Sequence, residues 1–153
     1  MSVRIGIGSD HAGLEMKNHL KETLRSLGYE PVDFGPSDDC SVDYPDFGEK
    51  VSRAVSEGEL ERGILICGTG LGMSIVANKF PRVRATLCHD VYTSRMSRLH
   101  NDSNILVMGG RVTDMTTAEA ILRTWIETPF EGGRHQRRLD KIEKLEERIR
   151  DVS

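Results

Sequence analysis

The chain has 153 residues, enough for one domain with a substantial core. Hydrophobic residues make up 37% and charged ones 29%, the balance of a soluble globular protein, and a formal charge of −3 gives no global reason to bind nucleic acid or an anionic membrane. No apolar stretch approaches the ~20 residues that span a bilayer, and the first six residues are too short in apolar content for a signal peptide.

The pattern predicts a first strand over 3–8, ending in Ser9-Asp10-His11-Ala12-Gly13. A helix follows with Ala12, Met16, Leu20, Leu24 and Leu27 on one face and Gly28 as its stop. Residues 31–34 make a short second strand. The acidic segment 35–46, with Cys40 and Tyr44-Pro45, reads as a loop. A second helix has Phe47, Val51, Ala54 and Val55 inward and Gly58 near its end.

The run Gly63-Ile64-Leu65-Ile66-Cys67-Gly68-Thr69-Gly70-Leu71-Gly72-Met73-Ser74 is the most informative stretch. It reads as a buried strand, a tight turn, and a helix over 73–79. Glycine at alternate positions lets a ligand approach the main chain. A helix start favours an anion and the thiolate form of a nearby cysteine. Cys67 is therefore either a small packed hydrophobe or a reactive thiolate beside an oxyanion site. A dinucleotide fingerprint fits the glycines less well, since G-x-G-x-x-G needs glycine where Met73 stands. Asp90, twenty residues beyond Gly70, keeps that rival in view.

A fourth strand is expected over 84–88, a helix over 91–99, a fifth strand over 104–108, and a helix lined by Met115, Ala118, Ile121, Leu122, Trp125 and Ile126. Alternating strands and helices, with nearly all-apolar strands, predict an α/β fold. We expect a three-layer α/β/α sandwich on a five-stranded parallel, Rossmann-like sheet. Right-handed crossovers then put Asp10-His11, the 67–72 turn, His89-Asp90 and 109–111 on one rim, where ligands of such sheets sit. No linker divides the chain, so residues 1–153 are read as one domain.

After Gly132-Gly133 comes Arg134-His135-Gln136-Arg137-Arg138, in a charged C-terminal helix read over 134–152. Leu139, Ile142, Leu145, Ile149 and Val152 form a narrow apolar stripe, suited either to a second subunit or to the chain's own sheet. The arginine cluster either pairs with Glu143, Glu146 and Glu147 or holds a phosphate, whose oxygens match guanidinium forks. Three cysteines at 40, 67 and 88 contain no CxxC pair and leave one over from any disulfide, which suits a reducing cytoplasm. The histidines lack zinc-ligand spacing, so neither a metal nor a cofactor is expected.

Ser9-Asp10-His11-Ala12-Gly13, Val42-Asp43-Tyr44-Pro45-Asp46, Cys67 to Ser74, His100-Asn101 and Gly132-Gly133-Arg134-His135 stand in one family's order. The chain resembles the type B ribose-5-phosphate isomerases, a group that includes galactose-6-phosphate and allose-6-phosphate isomerases. The resemblance implies metal-free aldose–ketose isomerisation through a cis-enediolate, a step of the non-oxidative pentose phosphate pathway. It makes Cys67 the base, His100 with Asp10 the ring-opening pair, and Thr69 a proton relay between O1 and O2. Amides of Gly68, Gly70, Leu71 and Gly72 would stabilise the enediolate. Tyr44 and Asn101 would contact hydroxyls, and His11, Arg134, Arg138 and Arg111 the phosphate. The family's site is shared in a homodimer, with His100, Asn101 and Arg111 coming from the partner, and dimers pairing into tetramers remain open.

Two alternatives stand beside this reading: a hexose 6-phosphate isomerase (allose or galactose 6-phosphate), and a nucleotide-binding regulatory module using the glycine turn. Cys40 and Cys88 read as a loop thiol and a packed strand residue, and His19 as solvated. Met73 and Met96 read as packing. His89, Asp90 and His135 are left without a role.

Overall fold

Five parallel strands carry the chain, seen in a computed structural model that describes residues 2–152. In chain order the elements are β1 (Arg4–Ser9), α1 (Leu14–Ser26), β2 (Glu30–Asp33), α2 (Tyr44–Ser56), β3 (Gly63–Cys67) and α3 (Leu71–Ala77). Then come β4 (Ala85–Leu87), α4 (Val91–Leu99), β5 (Ile105–Gly109), α5 (Met115–Glu127) and α6 (Arg134–Val152). The strand order is β2-β1-β3-β5-β4. β1 and β3 are neighbours, Ser9 standing beside Ile66, and between them the chain changes its direction of travel across the sheet. The expected sandwich is therefore present.

Strand alternation sorts the core into two layers. Ile5, Ile7, Ile64, Ile66, Leu106 and Met108 point toward Met16, Leu20 and Leu24 of α1 and Ala118, Ile121, Leu122 and Trp125 of α5. Leu65, Cys67, Ile105 and Val107 point the other way, toward Val51, Ala54 and Val55 of α2 and Met73 and Ala77 of α3. Each fully buried aliphatic side chain contributes roughly 1.5–3 kcal/mol, so both layers are needed for stability. α1 ends as the glycine stop requires. Gly28 is left-handed (φ +88°), its N–H donates to the Arg25 carbonyl, and that of Tyr29 donates to Leu24.

Two helix starts differ from the sequence reading. Tyr44 and Pro45 open α2 rather than closing a loop, because proline is well suited to a first helical turn. α3 begins at Leu71, two residues early, and is only seven residues long. α6 begins at Arg134 as expected and takes in the whole arginine cluster. Ile142, Leu145, Ile149 and Val152 on α6 are exposed, and on the same helix the Glu146 carboxylate accepts from the Arg82 N–H at 2.9 Å. Among the described residues no helix is long and apolar enough to cross a membrane.

One buried cation fixes the first loop. Lys17 on α1 is fully buried, and its ammonium donates to the Asp33 carboxylate at 2.7 Å and the Pro36 carbonyl at 2.6 Å. Lys21 donates to the other Asp33 oxygen at 2.8 Å. Burial by itself would push the Asp33 carboxyl up. Hydrogen bonds from Lys17, Lys21 and the Gly35 N–H outweigh it and hold the group below its ordinary range. A carboxyl lowered in this way contributes stability above its unfolded pKa and loses it as pH falls through the folded one. Asp33→Ala leaves a buried ammonium short of its counter-charge and is expected to cost about 3 kcal/mol near neutral pH, read by urea unfolding. The difference from the parent should shrink as pH falls from neutral through the lowered folded-state pKa; a difference that stays constant throughout the acid range would show that its charge is not responsible.

Candidate functional site

Chemistry-bearing residues gather in two groups, at opposite edges of the sheet. The first lies at the carboxyl ends of β1, β3 and β5. Cys67, the last residue of β3, is 5% exposed, and its Sγ accepts a hydrogen bond from the Gly70 N–H at 3.2 Å. Gly70 is left-handed (φ +85°), and a Cβ there would stand 2.4 Å from Leu87 Cδ1 and 3.1 Å from the Met108 backbone, so only glycine brings this amide round to the sulfur. The Leu71 N–H donates to Thr69 Oγ1 at 3.2 Å. Gly72 and Met73, in the first turn of α3, are left without an intrahelical acceptor for their amides. Two turns of helix make a weak dipole, so the electrostatics here rest on these individual N–H groups more than on α3 as a whole.

Around this turn stand four other residues singled out from the sequence. Asp10 is buried (8% exposed), and its carboxylate accepts from the Gly13 N–H at 3.0 Å, while its own N–H donates to the Ile66 carbonyl at 3.1 Å. His11 follows, its Nδ1 accepting from the Val42 N–H at 3.2 Å. That bond ties the loop held by Lys17 to the turn that follows β1. The Tyr44 ring lies against Gly72, within 2.9 Å of where a Cβ would be. The Arg111 N–H donates to the Gly68 carbonyl at 3.0 Å, and its guanidinium passes over Gly68 itself.

The second group lies at the amino edge. α4 leaves the carboxyl edge at Asp90 and runs back beside the sheet, so His100 and Asn101 emerge a strand length away from Cys67, about 15 Å. Arg98, 5% exposed, holds that turn. Its guanidinium donates to the Asp102 carboxylate at 2.8 Å, the Ser103 carbonyl at 2.6 Å and the Thr128 carbonyl at 3.2 Å. The Glu131 N–H donates to the Leu99 carbonyl at 3.1 Å, which brings the start of α6 to the same place. There the rings of His100 and His135 stack, with centroids 4.1 Å apart. Burial first, then the neighbouring His100, holds the His135 imidazole below the ordinary histidine range. Gly132 and Gly133 are both left-handed, and just beyond them Arg134, Arg137 and Arg138 are exposed and in no ion pair among the described residues. Arg134 and Arg138 are one helical turn apart and share a face.

The single chain thus unites Asp10, His11, Tyr44, Cys67, the glycine amides and Arg111. It unites separately His100, Asn101, Arg134 and Arg138. Arg111 belongs with Cys67 in this grouping, whereas the family pattern groups it with His100 and Asn101. The apparent rival at Asp90 has a structural use. Its carboxylate accepts from the Thr93 N–H at 2.7 Å and caps α4, which holds it below the ordinary range. His19 is exposed as expected but bonds Glu119 at 3.1 Å. Cys40 is exposed and Cys88 buried. Sequence reading passed over Glu131, although its spacing of four from His135 was visible; its proximity to His100 was not. A cavity of about 620 Å³ opens between α6 and the amino edge, lined by Arg82, Arg84, Ile142 and Glu146 among others, and includes none of the glycine turn.

Comparison with known proteins bears on both groups. Residues 5–142 match the family model described as Ribose/Galactose Isomerase. The structure of a Clostridium thermocellum ribose-5-phosphate isomerase B superposes with a TM-score of 0.94 at 52% identity, covering 96% of this chain and 99% of that one. Ribose-5-phosphate isomerase B of Escherichia coli is 42% identical over 145 residues, 95% of this chain and 97% of the relative. D-erythrulose-4-phosphate isomerase of Pectobacterium atrosepticum is 36% identical over 90% of this chain and 91% of its own. With a family model spanning both edges of the sheet and a fold superposing over almost its whole length, this chain belongs to the ribose/galactose isomerase family.

Proposed function

We propose that the protein interconverts ribose 5-phosphate and ribulose 5-phosphate, with Cys67 as the base. The observation that carries this reading is the Cys67 sulfur at the end of β3, hydrogen-bonded by the Gly70 amide, with Arg111 over the next residue, Gly68, and Asp10 bonded to the preceding residue, Ile66. Similarity to ribose-5-phosphate isomerases B along nearly the full chain supports the substrate. The separation of the two groups supports a homodimer in which a second copy sets its His100, Asn101, Arg134 and Arg138 over the glycine turn. His11 and Arg111 then meet the phosphate from one side and the two helical arginines from the other.

The chemistry follows from these positions. His100, assisted by Asp10, moves protons between the ring oxygen and the anomeric hydroxyl and so opens the sugar. The Cys67 thiolate takes the proton from C2. The released electron pair forms the C1–C2 double bond and leaves negative charge on O1, which the turn amides stabilise. Thr69 Oγ1 already accepts from Leu71, so its hydroxyl hydrogen is free to pass between O1 and O2. The sulfur then returns its proton to C1, and the ketose is complete. No redox partner or metal enters, and the reaction belongs in the cytoplasm with other sugar phosphate metabolism.

Cys67→Ala should lower kcat by about a thousandfold or more while leaving affinity for a phosphate-bearing inhibitor nearly intact. Unchanged turnover would remove the thiol from the mechanism. Arg134→Ala should mainly raise KM, since it removes binding common to ground and transition states. Co-expressing Cys67→Ala with His100→Ala tests the shared site: mixed dimers carry one intact site and should regain activity that neither variant has alone. Absence of any regain would place the whole site within one chain. Assays with ribose 5-phosphate, allose 6-phosphate, galactose 6-phosphate and erythrulose 4-phosphate, run with a chelator present, set the substrate and test the metal-free route. Preference for a substrate other than ribose 5-phosphate would overturn the assignment.

A further inference from the structure

The pair His100 and His135 does more than stack. Glu131 reaches both rings, its Oε2 standing 4.0 Å from Nε2 of His100 and 4.0 Å from Nε2 of His135. One donor atom from each of the three residues lies within 4.8 Å of the other two. Independently, Nε2 of His135 is sealed from solvent and has no hydrogen-bond partner, on a residue only 3% exposed. A buried polar nitrogen left in this way costs on the order of 1–3 kcal/mol, and any group that engages it recovers that cost.

We propose that His100, Glu131 and His135 form an inhibitory site for one borderline transition-metal ion, with Zn²⁺ the best fit. Two imidazole nitrogens and a carboxylate, with solvent filling the fourth position, are a Zn²⁺ donor set, whereas Mg²⁺ and Ca²⁺ select oxygen. Donors about 2 Å from a tetrahedral ion lie about 3.3 Å apart, so the two 4.0 Å separations must close by less than ~1 Å and the histidine pair, within 4.8 Å, by up to ~1.5 Å, with His100 turning out of the stack because a metal lies in the plane of each ring. The two outer ligands can move to do so. The side chains of Glu131 and His100 are 55% and 39% exposed, while His135 is fixed. Their backbones are already drawn together by the bond from Glu131 to Leu99 and by the Arg98 network. Arg134 and Arg138 oppose a cation here, and the Glu131 carboxylate offsets part of that repulsion. An ion on Nε2 of His100 removes that nitrogen from proton transfer, so occupancy inhibits the enzyme. This consequence rests on the isomerase reading; the binding itself does not.

The test uses the full-length chain stripped with a chelator and titrated with Co²⁺. One equivalent per chain should give the strong visible absorption of tetrahedral cobalt, and Zn²⁺ should displace it while Mg²⁺ does not. Glu131→Gln, at an exposed position, should weaken binding by about tenfold or more, as should His135→Gln with folding checked by circular dichroism. Absence of binding up to about 100 µM metal, or undiminished binding by Glu131→Gln, would overturn the site. In the second arm, Zn²⁺ should suppress turnover of ribose 5-phosphate, a chelator should restore it, and Glu131→Gln should need about tenfold more Zn²⁺ for the same inhibition. Full turnover with the ion bound would overturn the inhibitory role. A chain that binds cobalt but isomerises no sugar phosphate would remove the isomerase reading and the inhibitory role with it, while leaving the metal site standing.

Discussion

Parallel pairing of all five strands is the constraint on which the architecture depends. When every strand points the same way, every connecting helix must carry the chain back to the opposite edge. Residues that follow a strand, such as Asp10, Cys67 and Arg111, therefore collect at one edge. Those that follow a helix, such as His100 and the 131–138 segment, collect at the other. No side-chain rotation bridges a strand length. In the proposed reading, chemistry that needs both groups draws on a second copy, and α6 leaves Ile142, Leu145, Ile149 and Val152 exposed.

Within each edge, position is set by buried polar networks rather than by apolar packing. Lys17 holds the loop that reaches His11 through Val42, and Arg98 holds the turn that carries His100 to the start of α6. Both cations are almost fully buried and satisfied by two or more acceptors, the condition under which a buried charge is tolerated. Such networks have fewer ways to be nearly right than an apolar core, so they fix direction as well as proximity.

The glycine turn works on a different principle. Cys67 belongs by alternation to the α2/α3 layer and packs there as a small hydrophobe. The left-handed Gly70 turns an amide back onto the same sulfur. The packed and the reactive readings of this cysteine are thus compatible: burial holds the sulfur still, and the turn supplies the polar partner.

Much of this was legible in the chain itself. The apolar run from Ile64 to Cys67, the helical spacing of Met16, Leu20 and Leu24, and the stop at Gly28 depend on neighbours close in sequence, so local pattern sufficed for the sheet, its covering helices and the glycine turn. The resemblance supplied the site residues as a set. What only the tertiary structure decided was which of them meet: Arg111 over Gly68, His100 against His135 and Glu131, and Asp90 spent on capping α4. Those contacts join residues far apart in the chain through the return path of each helix, and a one-dimensional pattern carries no record of where that path ends.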